Sequence, residues 1–157
     1  MTDIVDIITP DRVACGVEAG SKKRALELLS ERLASAAPDL TTEEIFEALL
    51  ARERLGSTGM GEGVALPHGR LDGISKPIAA CITLREPVDF DALDKRPVDL
   101  LFALLVPEAA TEEHLRLLAQ LAQMFGKPEF RAELRACHDS ADLMEAIRRG
   151  QPQRVSA

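Results

Sequence analysis

Two hydrophobic rhythms divide the chain. Across residues 21–36, Ala25, Leu26, Leu29 and Leu33 recur at helical spacing, Lys22, Glu27 and Glu31 fall elsewhere, and Pro38 stands just past the end. That pattern predicts an amphipathic helix. A second helix is expected from Thr41, where Thr41 and Glu44 have capping-box spacing and Leu40 can meet Ile45 as a hydrophobic staple. Ile45, Phe46, Leu49 and Leu50 give it an apolar face as far as Leu55-Gly56. The C-terminal third repeats the helical rhythm. Thr111 is the expected N-cap of a helix with Leu115, Leu118, Leu121, Ala122 and Phe125 on its apolar face, closed by Gly126. Pro128 suits the first turn of the next helix, through about Cys137, and Asp139 or Ser140 caps a last one ending at Gly150.

The middle of the chain follows a different rule. Residues 78–84 and 100–106 have the character of strands, and the second is apolar at every position, so burial on both faces is expected. Residues 87–93 with Asp94-Lys95-Arg96 form a turn or hairpin region. Six glycines fall between Gly56 and Gly73, and residues 64–66 are the only apolar piece among them, a short strand. Helices, then strands, then helices imply an α/β (α+β) fold: a mixed sheet with helices on both faces. One domain is expected over residues 1–150, with 151–157 as a frayed tail.

Composition narrows the function classes. Of 157 residues, five are Phe and none is Trp or Tyr, so the core is built from Leu, Ile, Val and Ala, and base stacking on aromatics is not expected. A net charge of −7 argues against a nucleic-acid surface, which needs clustered Lys and Arg. Cys15, Cys81 and Cys137 are odd in number, widely spaced and without a CxxC, as free thiols in a reducing compartment would be. The longest unbroken apolar run, 100–106, is short of the roughly 20 residues of a membrane span, and MTDIVDIITPDR has no basic start followed by a long apolar segment. A cytoplasmic protein without membrane insertion is expected. No metal or cofactor is expected either: Cys137-His138 is isolated, and there is no nucleophile elbow or Walker pattern.

The candidate chemistry lies in GEGVALPHGR, residues 61–70. Pro67 holds Leu66 extended and stiffens the approach to His68, while Gly69 removes a side chain just beyond it. Glycine-rich backbone nearby can turn N–H groups toward an anion. Arg52 and Arg54 close the second helix and can supply charge-assisted bonds to a phosphoryl group. Ser57 and Thr58 can bond the glycine segment or an anion. His114, at the expected third position of its helix, is kept neutral by the helix N-terminus and can donate to a phosphoryl oxygen. Each residue also has a plain alternative: a surface loop histidine, helix-end cations, a solvated first-turn histidine.

The stretch ERLGSTGMGEGVALPHG, residues 53–69, resembles the active-site signature of phosphotransferase-system enzyme IIA proteins of the mannitol/fructose class. Glu53, Met60, Gly61, Val64, Ala65, Leu66, Pro67, His68 and Gly69 fill the signature positions without a gap. RERLGSTGMGEG, FDALDKRPVDLLFALLVP and TEEHLRLL are similar to the nitrogen-related branch, IIA-Ntr. The resemblance implies a mixed sheet of about five strands flanked by helices. It implies that His68 is phosphorylated, that His114 is the second site histidine and that Arg52 is the site arginine. It further implies a phosphocarrier protein of the NPr/HPr kind as donor, and regulated target proteins, a kinase or transporter, read according to phosphorylation state. Met60, Val64 and Leu71 are candidates for the apolar rim that such a donor needs, and Glu62 brings an acid near it. Two other functions fit the same residues: a sugar-delivery IIA passing phosphate to a IIB domain, and a binding module whose histidine is never phosphorylated.

Overall fold

The computed structural model describes residues 2–152. Of the expected tail at 151–157, only Gln151 and Pro152 fall within the described residues. In chain order the elements are β1 (Val13–Val17), α1 (Lys22–Ala34), α2 (Thr42–Arg54), β2 (Gly59–Gly61), β3 (Val64–Ala65), β4 (His68–Leu71), β5 (Ile78–Val88), β6 (Val98–Pro107), α3 (Thr111–Phe125), α4 (Pro128–Arg135) and α5 (Ser140–Gly150).

Strand β6 organises the molecule. Its side chains alternate between two cores, as a pleated strand requires. Leu100, Phe102, Leu104 and Val106 face one core with α3, α4 and α5. Leu101, Ala103 and Leu105 face the other with α1 and α2. An uninterrupted apolar run buried on both faces is therefore what the sequence predicts and the fold uses. Phe102 meets Phe125 edge-on at 6.1 Å, and Phe125 meets Phe130 at 5.1 Å, filling the first core with three of the five phenylalanines.

The sheet is mixed, in the order β1-β5-β6-β3-β2, with β4 also paired to β6. Strands β5 and β6 are antiparallel, whereas β3 and β4 run parallel to β6 and β1 parallel to β5. Among the described residues there are six strands rather than five. The glycine segment that the sequence offers as mostly loop contributes β2 and β4 as well as β3. Val64 pairs with Leu100 and His68 with Leu104, so β3 and β4 keep one register along β6. They are two pieces of a single line, parted where Pro67 has no N–H to give. The carbonyl of Pro67 still accepts from Leu104 N–H at 2.9 Å. Strand β5 continues to Val88, so the expected hairpin region shrinks to the connection 89–97.

The helix starts follow their signals, with one exception. Ser21 caps α1, Thr41 and Glu44 form the capping box of α2, and Asp139 caps α5. Helix α3 differs: Ala110 is its N-cap, and Thr111 is already its first helical residue. His114 is thus the fourth residue, its own N–H bonded to Ala110 at 3.0 Å. The buried stripe of α3 is Leu117, Leu121, Met124 and Phe125, while Leu115 is 63% exposed and Ala122 is exposed. Two apolar stripes compete on this helix, and periodicity alone cannot choose between them. Cys81 is buried, Cys15 and Cys137 are half-buried, and all three thiols are free.

Candidate active site

Strand alternation decides what surrounds His68. A side chain at Gly69 would meet Ala48 of α2 in ordinary contact at 3.5 Å. Its neighbours His68 and Arg70 therefore face the opposite way, toward the start of α3. There the ring of His68 meets that of His114 edge-on, centroids 5.2 Å apart and planes at 71°. Arg70 Nη1 donates to Thr111 Oγ1 at 3.3 Å. The outer edge of β4 carries no strand among the described residues, and Arg52 reaches His68 from the last turn of α2.

The protonation of His68 follows from its partners. Nδ1 lies 2.8 Å from the carbonyl oxygen of Leu66. A carbonyl only accepts, so Nδ1 carries the hydrogen and donates. Nε2 then holds a lone pair and accepts from Arg52 Nε–H at 3.2 Å. Burial lowers the pKa of His68 below its ordinary value, the bond to Leu66 opposes this, Arg52 lowers it further and Glu53 raises it. The pKa of His114 is lowered by burial first, then by the proximity of His68, Arg70 and Arg52. Both rings are thus held neutral next to two guanidinium groups.

These groups line a cleft of about 570 Å³ between the end of α2, strand β4 and the start of α3. Leu55, 85% exposed, and Leu115, 63% exposed, give it an apolar mouth. Of the residues singled out in the sequence, the structure brings His68, His114, Arg52 and Gly69 together in this cleft.

Others lie elsewhere. Arg54 is exposed and does not line the cleft. Ser57 Oγ donates to Phe90 O at 2.6 Å and accepts from Gly59 N–H at 3.0 Å, and the Thr58 hydroxyl is bonded to Glu53. These two side chains are spent on the protein itself rather than on an anion. Val64 is 1% exposed, since β3 turns it into the core, so it cannot form a rim. Leu71 is half-buried against the α1/α2 core, and Met60, though 38% exposed, is on β2 outside the cleft lining. Glu62 occupies the β2–β3 turn with Arg96 at 3.4 Å and Arg131 at 4.0 Å, and does not line the cleft. The sequence reading passed over Arg70, Leu55 and Leu115 as site residues. Arg70 had a usable signal: once His68 begins a strand, position 70 shares its face.

The histidine pair and its arginine stand on a mixed α/β fold, and the chain belongs to the phosphoenolpyruvate-dependent sugar phosphotransferase system EIIA 2 family, whose model matches residues 6–150. Within that family its similarity runs to the nitrogen-regulatory branch. It is 50% identical over 147 residues to a nitrogen regulatory protein of Pseudomonas aeruginosa, covering 94% of this chain and 96% of the relative. It is 43% identical over 140 residues to that of Escherichia coli, covering 88% and 83%. The crystal structure of nitrogen regulatory protein IIA-Ntr from Neisseria meningitidis superposes with a TM-score of 0.87 at 42% identity, covering 92% of this chain and 98% of that one. IIA mannitol from Escherichia coli, at 21% identity, shares the fold with a TM-score of 0.74 over 88% and 97% of the two chains.

Proposed function

We propose that this protein accepts a phosphoryl group on Nε2 of His68 from the phosphohistidine of an NPr/HPr-like carrier and regulates partner proteins, such as a kinase or transporter, according to its phosphorylation state. One observation carries the proposal: the Leu66 carbonyl holds the hydrogen on Nδ1, leaving the Nε2 lone pair in a cleft with Arg52, Arg70 and His114.

The donor docks against Leu55 and Leu115. As its phosphoryl group enters, Arg52 exchanges its bond to Nε2 for one to a phosphoryl oxygen. Nε2 attacks phosphorus, the N–P bond of the donor breaks as the new one forms, and the donor imidazole leaves with the electron pair. The proton stays on Nδ1 of His68, donated to the Leu66 carbonyl. Charge spreads over the three phosphoryl oxygens in transit, and Arg52, Arg70 and a neutral His114 N–H are placed to bind it. The reaction needs positioning and fixed charge more than covalent help from the protein. The phosphorylated ring carries up to about two added negative charges, by analogy with hydroxyl phosphates, at the mouth of an interaction surface. We place this exchange in the cytoplasm.

The test is incubation with phosphoenolpyruvate and the upstream carriers, followed by mass spectrometry under conditions that preserve acid-labile phosphate. One phosphate on His68, absent from His68→Ala, is the expected result. No incorporation into wild type with active carriers overturns the proposal and leaves a binding module. Onward transfer to a IIB domain would identify sugar delivery instead.

A further inference from the structure

Glu53 fills the acidic position of the signature, yet it does not line the cleft. Its side chain is only 2% exposed, an expensive place for a carboxylate unless every oxygen is used. Both oxygens accept from Thr58 N–H at 3.2 Å, one also accepts from the Thr58 hydroxyl, and the other is 2.9 Å from Lys22 Nζ at the start of α1. The carbonyl of Glu53 accepts from Gly56 N–H at 3.1 Å. Glu53 therefore pins the short segment from Gly56 to Thr58 at both ends.

That segment holds both partners of the proposed chemistry. Gly56 O accepts from Arg52 Nη1 at 2.8 Å, which orients the guanidinium. Thr58 O accepts from Leu66 N–H at 3.1 Å, and the carbonyl of the same Leu66 residue holds His68 Nδ1 at 2.8 Å. Two short hydrogen-bonded paths thus start from Glu53: its backbone carbonyl leads through Gly56 to the cation, and its carboxylate leads through Thr58 to the nucleophile.

We propose that Glu53, held by Lys22, is a positioning residue for the transfer: it fixes the segment 56–58 and through it the tautomer of His68 and the direction of Arg52. This rests on the transfer proposed above, but its structural half can be tested without any phosphate. Glu53→Gln keeps an acceptor oxygen for Thr58, whereas Glu53→Ala removes it. Nitrogen-resolved NMR of the full-length protein reads the His68 tautomer directly. Wild type and Glu53→Gln are expected to show a single Nδ1–H form, and Glu53→Ala a mixture of both tautomers. In the carrier assay, Glu53→Ala should lose roughly tenfold or more in kcat with KM within about twofold of wild type, because the docking surface is untouched. Glu53→Gln should recover most of the rate.

A folded Glu53→Ala with a pure Nδ1–H tautomer and wild-type kcat overturns the proposal. Should Glu53→Ala not fold, Glu53→Met, which keeps the bulk but offers Thr58 no oxygen, decides the matter: mixed tautomers support it, and an unchanged tautomer and rate refute it. If wild type accepts no phosphate at all, the functional assignment falls while the tautomer measurement still judges Glu53.

Discussion

At the scale of single residues, the site is an exercise in keeping an imidazole neutral and aimed. Burial is the largest cause of the lowered pKa of His68, and Arg52 adds to it. Only the neutral ring can attack, so the transfer rate should be flat on acidifying from pH 8 through about 6.5, the ordinary histidine value, and fall only below it. A single-turnover pH profile with its inflection at or above that value would contradict the assignment. Arg52→Ala removes the cation nearest the reacting nitrogen and should slow transfer by about 10²–10³-fold, the usual loss for one preorganised donor. His114→Ala should slow it less and leave His68 as the acceptor, checked by locating the phosphate in both variants.

At the scale of elements, glycine plays two different roles on either side of the site. The Cβ that Gly69→Ala adds meets Ala48 at ordinary contact distance, and Gly69 has no positive φ. That substitution should change stability by less than about 1 kcal/mol in a urea titration and leave transfer measurable. Gly63 has φ +78°, and an added Cβ would press on Arg135 and Asp99. Gly63→Ala should cost about 1–3 kcal/mol by the same titration, with the β2–β3 turn loosened. These elements also show what could be known before the fold was seen. The amphipathic α1 and α2 were legible from their helical apolar period, and the doubly buried β6 from its unbroken apolar run. Strands β2 and β4 were not, since three or four residues among glycines carry no period, and the pairing of β4 with the distant β6 is written in no local pattern. His68, Arg52 and His114 were legible from residue type and spacing, and so from resemblance. Arg70, Leu55 and Leu115 become site residues only when α2, β4 and α3 converge.

At the scale of the whole molecule, the site exacts a cost in stability as the solution is acidified. The unfolded chain binds protons on His68 and His114 near pH 6.5, whereas the folded chain, with both values lowered, resists doing so. Between the folded and unfolded values the unfolded state holds more protons, so folding stability declines as pH falls below about 6.5 and levels off once the folded values are passed. A His68→Gln, His114→Gln double variant should flatten that part of the profile in denaturant titrations from pH 7.5 to 5. An unchanged slope would show that the two rings are not its source. Lys22→Met tests the ion pair behind the site: it strands the Glu53 carboxylate and should destabilise the fold by about 3 kcal/mol, the lower end for a broken buried pair because the Thr58 donors remain.

The line formed by β3 and β4 ends between the two helical layers. Arg52 belongs to one layer and His114 to the other, and a single ring touches both. A charge attached to that ring would pull on both helical layers at once.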